Sequence, residues 1–312
     1  MDFLSLLNAV ATLAVILAIG FGSRKTGLID DAFSKKLSEF IIKLGQPLLI
    51  ISALISIEFT RENLLRGINC TILSFILHTL VGAVALLASR FFKGINVRKI
   101  SAFAMIFANC GFIGLPILQS IFGEDGLFCG AFYLIGFHIF VWTIGMFILS
   151  RQRPDIKFTP MKMLFNHGTV PCYIGIILFL LPIEMPPFVK TTAGYYAELC
   201  TPISVMITGA LIAKSSLREL FGDVRVYVVS CLKLLVIPTI TAVVLRLMGL
   251  DTFYIVFGTV MTALPSGAIV TMFGELYDID PKYASRIVGT TSVLCILTLP
   301  VLVALAGLIA SL

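Results

Sequence analysis

The sequence predicts an all-α integral membrane protein of about ten transmembrane helices. Three observations lead there. Of the 312 residues, 58% are hydrophobic and only 13% charged, and the mean hydropathy is +1.04. The apolar residues gather into runs close to the ~20 residues that a helical span needs. Those runs do not alternate apolar with polar, as a membrane barrel would. A soluble domain is nearer ~25% charged, and this composition leaves too little polar surface to cover a water-facing fold. Soluble enzymes, nucleic-acid-binding proteins and disordered chains are thereby excluded.

Taken in order, the spans are expected at about 4–22, 38–57, 70–91, 99–122, 127–150, 163–183, 194–213, 225–247, 252–275 and 284–309, with ends good to a few residues. The first run has no basic residues ahead of it and is followed by Arg24 and Lys25. That pattern predicts a first span entering with its N-terminus outside rather than a cleaved signal peptide. Short connections leave no room for a separate soluble domain. The seven cysteines lie in or beside apolar runs and read as small buried hydrophobes, with no disulfide or metal framework.

The net charge is +6. In a membrane protein such a bias reports topology, not a nucleic-acid partner. The odd-numbered connections carry 17 of the 23 Lys and Arg residues and the even-numbered ones carry 4, with Lys43 and Lys233 inside spans. The odd connections are therefore expected in the cytoplasm and both termini outside.

The halves resemble one another. Pro47 in span 2 and Pro202 in span 7 lie 155 residues apart, and Pro116 in span 4 and Pro265 in span 9 lie 149 apart. A five-span repeat is odd-numbered, so the second copy must run inverted; the expected halves are 1–157 and 158–312. Four unrelated proline kinks are the alternative, since membrane helices tolerate them.

Span 4 centres on Asn109, Gly111, Gly114 and Pro116, and span 9 on Thr262, Pro265, Ser266 and Gly267. Proline removes a donor, disfavours helix in the residue before it and suits the start of a new helix. Each span is expected to break and restart at Pro116 or Pro265. Two helix N-termini facing one crevice would form an anion site. The competing reading is that Gly and Pro here only ease helix packing.

Ionisable residues inside spans are few, and each marks a functional hypothesis. Lys233 lies near the middle of span 8 and is expected either to face a substrate carboxylate or to snorkel. Lys43 follows Glu39 by four residues, a favourable helical pair. Glu198, His78 and His138 are candidate proton sites; His167 lies at an interface. No enzyme motif or paired carboxylate appears in a span.

The segments FANCGFIGLPIL, ALPSGAIVTMFGELY, YASRIVGTTSVLCILTLPVL and LKLLVIP together resemble the auxin efflux carrier family along essentially the whole chain. The resemblance implies ten spans in two inverted five-helix repeats, with spans 4 and 9 broken and crossing at the midplane. It implies a scaffold of spans 1, 2, 6 and 7 that dimerises, and a transport subdomain of spans 3–5 and 8–10. It adds Thr290 and Thr291 to His138 and Glu198 as candidate ion-coupling residues. The connection RQRPDIKFTPMK is short, which fits a compact bacterial-type carrier rather than a plant auxin exporter. The expected function is secondary transport of a small organic anion across the cytoplasmic membrane, held by Asn109, Gly111, Gly114, Pro116, Thr262, Pro265, Ser266, Gly267 and Lys233. The expected cofactors are none, with Na+ or H+ as the coupling ion. The expected partners are the anion, the lipid bilayer and a second copy of the chain, with no nucleic acid. The alternatives are a sodium symporter of a larger amphipathic anion, as in the bile-acid symporters that share this architecture, or a channel or membrane sensor.

Overall fold

The structure, a computed structural model, describes residues 3–151, 161, 165–166, 168–181, 185–214 and 222–312. Arg153, Lys157, Lys162, His167 and Arg218 lie outside the described residues, as does part of the expected span at 163–183. Among the described residues every regular element is a helix. In chain order they are α1 (Phe3–Lys25), α2 (Asp31–Ile55), α3 (Arg61–Ser89), α4 (Ile95–Ile106), α5 (Cys110–Phe122) and α6 (Glu124–Ser150). There follow α7 (Thr169–Leu180), α8 (Pro187–Lys214), α9 (Val224–Leu247), α10 (Thr252–Ala263), α11 (Ile269–Leu276) and α12 (Pro281–Ser311). Six of the described helices, α2, α3, α6, α8, α9 and α12, are long and apolar enough to cross a membrane.

Caps explain several boundaries. The Asp30 carboxylate accepts the Phe33 N–H at 2.7 Å, so α2 starts earlier than its apolar run. Asp223 and Asp280 cap α9 and α12 in the same way. The runs at 99–122 and 252–275 are each two helices, α4 with α5 and α10 with α11, so both runs break as expected, but neither restarts at its proline. Pro116 does not restart a helix. It lies inside α5, six residues after that helix has begun, and Pro265 lies in extended backbone before α11.

The prolines are absorbed differently. Wide five-residue π turns occupy Ile41–Gly45, Cys110–Gly114 and Leu232–Val236, just before Pro47, Pro116 and Pro238. A proline ring collides with the carbonyl four residues back and offers it no N–H. Widening the turn by one residue relieves both problems without ending the helix. A fourth π turn, Val141–Gly145, has no proline after it; there Gly145 admits the rings of Phe103 and Phe107, which a Cβ would press at 2.8 and 2.9 Å.

The chain forms two compact units. The first holds the described residues of Met1–Ser74, Gly111–Ile139 and Pro160–Lys214, and the second those of Phe75–Cys110, Phe140–Thr159 and Ser215–Leu312. In the first, α1 and α8 meet backbone to backbone. A Cβ on Gly20 would overlap the Met206 carbonyl, and one on Gly209 the Leu17 carbonyl. Small residues allow this approach, and dispersion between the helices then stabilises it. Arg66 and Asp125 pair at 2.9 Å across α3 and α6. Lys43 and Glu39 pair at 3.6 Å, as their spacing requires.

In the second unit α4, α9, α10, α11 and α12 enclose a core that includes Phe103, Phe107, Phe257 and Phe273, all fully buried. Lys99, assigned from the sequence to a cytoplasmic connection, is instead buried on α4, and its Nζ donates to the Leu149 carbonyl at 2.9 Å near the end of α6. The cation there satisfies a carbonyl orphaned at a helix C-terminus. The cysteines are free thiols; six are buried as expected, whereas Cys231 is exposed.

Candidate functional site

Two helix breaks meet in the second unit. α4 ends at Ile106, where Phe107 turns to extended backbone. α10 ends at Ala263, where Leu264 adopts φ −61° and ψ 152°, the conformation favoured before a proline. The two extended segments pair antiparallel at Ala108 and Ser266. The Asn109 N–H donates to the Pro265 carbonyl at 2.8 Å, and the Gly267 N–H to the Phe107 carbonyl at 2.9 Å. Broken helices in lipid need partners for their freed groups, and here each break supplies the other. Gly267 suits this approach, because a Cβ would sit 3.0 Å from the Ala108 carbonyl oxygen, a tight contact.

Ser266 ties the crossing to its neighbours. Its hydroxyl donates to the Ala104 carbonyl at 2.9 Å, and its N–H donates to the Thr291 hydroxyl at 3.1 Å. The Thr291 hydroxyl donates in turn to the Ile287 carbonyl at 2.7 Å. Thr262 turns its hydroxyl back to the Gly258 carbonyl at 3.0 Å. Thr290 and Thr291 are both fully buried on α12.

Lys233 sits in the π turn of α9 and is 1% exposed. Its Nζ donates to the Thr262 carbonyl at 3.2 Å, in the last turn of α10. Of the two readings open from the sequence, snorkelling is not what this side chain does: its head group ends beside the break. Among the described residues no carboxylate pairs with it.

The structure therefore brings Asn109, Thr262, Pro265, Ser266, Gly267, Lys233 and Thr291 together within one unit. Most of their donors are already engaged. Among the described residues no hydrogen bond engages the Ala268 and Ile269 amides at the start of α11, and both residues are half-buried. Gly111, Gly114 and Pro116 belong to α5 in the first unit. There Gln46 of α2, a residue that sequence reasoning missed, lies so close that a Cβ on Gly111 would overlap its Nε2. Only the Gly-Gln-Pro tripeptide hinted at it. His138 is half-buried in the first unit with Gly168 packed on its imidazole, and Glu198 is exposed on α8. His78 is buried in the second unit against Phe107 and Phe140.

Cys295 was also missed, because it read as a small hydrophobe. Its Sγ donates to the Ala263 carbonyl at 3.7 Å, the last residue of α10. At the foot of the same unit the hydrogen bond from Arg225 holds the Asp223 carboxyl below its ordinary range. Arg225 also lies over the Tyr283 ring at 5.2 Å, and Tyr283 shares a 2.9 Å hydrogen bond with Ser101. This network joins α4, α9 and α12.

Two broken helices thus meet with the buried Lys233 beside them, and interrupted helices and intramembrane charges are features of secondary transporters. A family model described as membrane transport protein matches residues 5–160 and 156–303. The chain belongs to this family of membrane transport proteins. It is the auxin efflux carrier family that the proline segments resemble, so the chain is a membrane transporter and not an enzyme. The transporter is similar to an uncharacterized transporter of Methanocaldococcus jannaschii, at 21% identity over 92% of this chain and 94% of that protein. It is similar to an uncharacterized transporter of Methanothermobacter thermautotrophicus, at 22% identity over 96% and 98%. A protein of Rhizobium meliloti provisionally named a malonate transporter shares 21% identity over 84% of this chain and 83% of its own length.

Proposed function

We propose that this membrane transporter is a secondary active carrier of a small organic anion, a carboxylate such as malate, malonate or an auxin-like acid, working by alternating access across the cytoplasmic membrane. The observation that carries the reading is the crossing of Ala108 and Ser266 with buried Lys233 beside it. The unengaged amides of Ala268 and Ile269 at a helix N-terminus and the lysine charge both favour an anion. The provisional name of the Rhizobium meliloti relative supports a carboxylate.

The reading takes the chain as ten spans in two inverted repeats, with both termini extracytoplasmic and a homodimer formed through α1, α2, α7 and α8. Asn109, Thr262, Pro265, Ser266 and Gly267 shape the substrate site, and Lys233 supplies its positive charge. His138, Glu198, Thr290 and Thr291 are the candidates for coupling to a cation. The test is counterflow in liposomes that hold the purified protein. Unlabelled malonate or malate inside should drive transient, saturable accumulation of the labelled acid. Flux that rises linearly with concentration and shows no counterflow would overturn the carrier in favour of a channel.

A further inference from the structure

We propose that Cys70 and Cys129 form a redox site in the first unit, a buried thiol pair that a small peroxide oxidises to a disulfide tying α3 to α6. From the sequence both read as small hydrophobes. The structure sets them against each other: the Cys70 thiol hydrogen-bonds to the Cys129 thiol, and both side chains are fully buried. Other buried thiols turn to oxygen instead. Cys172 Sγ donates to the Gly168 carbonyl at 3.2 Å, Cys295 Sγ to the Ala263 carbonyl at 3.7 Å, and Cys200 Sγ lies 3.9 Å from the Ser204 hydroxyl.

The two helices hold the thiols in register. Arg66 of α3 pairs with Asp125 of α6 at 2.9 Å. Cys70 and Cys129 each follow four residues later, on the same face and one turn further along. The helices therefore run parallel here, with two matched pairs a turn apart. They also approach closely. The Thr71 hydroxyl reaches the Phe132 carbonyl of α6 at 3.0 Å, and Gly67 lies against the Phe132 ring, where a Cβ would come to 2.7 Å. A disulfide needs Cα atoms within about 7 Å, and only a pairing this close lets two short cysteine side chains meet.

Charge favours the chemistry as well. The thiolate is the nucleophile, and the Arg66 guanidinium acts electrostatically on both thiols. Cys70 Sγ, as thiolate, attacks one peroxide oxygen; the O–O bond breaks, the sulfur becomes a sulfenic acid, and the other oxygen leaves as water once protonated. Cys129 Sγ then attacks the Cys70 sulfur, the S–O bond breaks, and a second water leaves. Two thiols and one hydrogen peroxide give one disulfide and two waters. The oxidant must be small and uncharged, because neither sulfur is open to a bulky disulfide reagent. On the topology proposed above, the peroxide arrives from outside the cell; the bridge itself rests on neither that topology nor the carrier reading.

The test is to treat purified wild type with hydrogen peroxide, denature it, alkylate the remaining thiols with N-ethylmaleimide and map the peptides. One linked pair joining Cys70 to Cys129 should appear, and dithiothreitol should return both to the alkylated pool. Cys231, the exposed thiol, gauges the dose. Peroxide that oxidises Cys231 while Cys70 and Cys129 both stay alkylatable overturns the proposal, and so does oxidation of either to a sulfinic acid with no bridge. The bridged protein should also melt several degrees above the reduced one, since the cross-link restricts the unfolded chain. Cys70→Ala and Cys129→Ala should each lose that peroxide-induced rise. A rise that persists in either variant overturns the bridge as its cause. The peptide map needs only wild type, so it decides even if a variant does not fold. No arm involves an anion or transport, so failure of the substrate reading stays distinguishable.

Discussion

Replacing Thr291 by valine separates a residue that braces the crossing from one that binds an ion. Thr291 and Ser266 are both fully buried, and the Thr291 hydroxyl is the acceptor for the Ser266 N–H at 3.1 Å. Valine keeps the outline of the side chain and removes the acceptor. Hydrogen bonds between membrane helices average only ~0.6 kcal/mol, because the groups find other partners when one is lost. The Ser266 amide has no such recourse, since it sits in non-helical backbone with no carbonyl of its own turn to accept it. The larger figure for a buried donor left unpartnered, about 1–3 kcal/mol, therefore applies. If order in the break governs anion binding, that loss is roughly 5- to 150-fold in affinity. Thr291→Ser keeps the hydroxyl and should retain most of both. The assay is melting temperature and equilibrium binding of a labelled dicarboxylate on the purified Val and Ser variants, each over a series of sodium concentrations and pH. A Val variant with wild-type melting and affinity but a changed ion dependence would refute the bracing role.

Three further outcomes follow from the geometry. Pro116→Ala should leave transport close to wild type, because the break lies at Phe107–Asn109 and the π turn has already absorbed that proline; Gly267→Ala should reduce it, since its methyl meets the Ala108 carbonyl oxygen at 3.0 Å and that carbonyl must give way. Uptake by the two variants at matched expression checks the contrast. The Asp223 carboxyl is held below its ordinary value by Arg225, so its contribution to stability is complete above the unfolded pKa of ~3.9 and is lost as pH falls through the lower folded value. Melting of Asp223→Asn against wild type should accordingly converge on the acid side, and a gap that stays constant across that range would exclude the pair. Tags on both termini should react with an impermeant label on intact cells; labelling only after permeabilisation would reverse the topology read from the 17 and 4 basic residues of the two sets of connections.

The sequence alone determined the class of this protein, because apolar excess and run length are sums over residues and need no partner. It located the segments that matter for the same reason. Asn109, Pro265, Ser266 and Gly267 stand out as polar or helix-disfavouring residues in apolar runs, and Lys233 as a charge far from either end of its run. Pro265 marked the break of its run, but where α4 breaks was not legible. A proline perturbs its own turn, and the local remedy at Pro47, Pro116 and Pro238 is a wider turn that keeps the helix continuous. α4 ends instead at Ile106, where the backbone finds its partners in Pro265 and Gly267, far along the chain. Which donors stay open was equally hidden, since Ser266 is consumed by Ala104 and Thr291, and Lys233 by Thr262. Lys99 read as a loop charge until α6 brought the Leu149 carbonyl to it, and Gln46 had no visible role until α5 laid Gly111 against it. Hydrophobicity and turn chemistry are properties of neighbours in sequence. Hydrogen-bond satisfaction at a break is a property of neighbours in space, and only the tertiary structure assigns those.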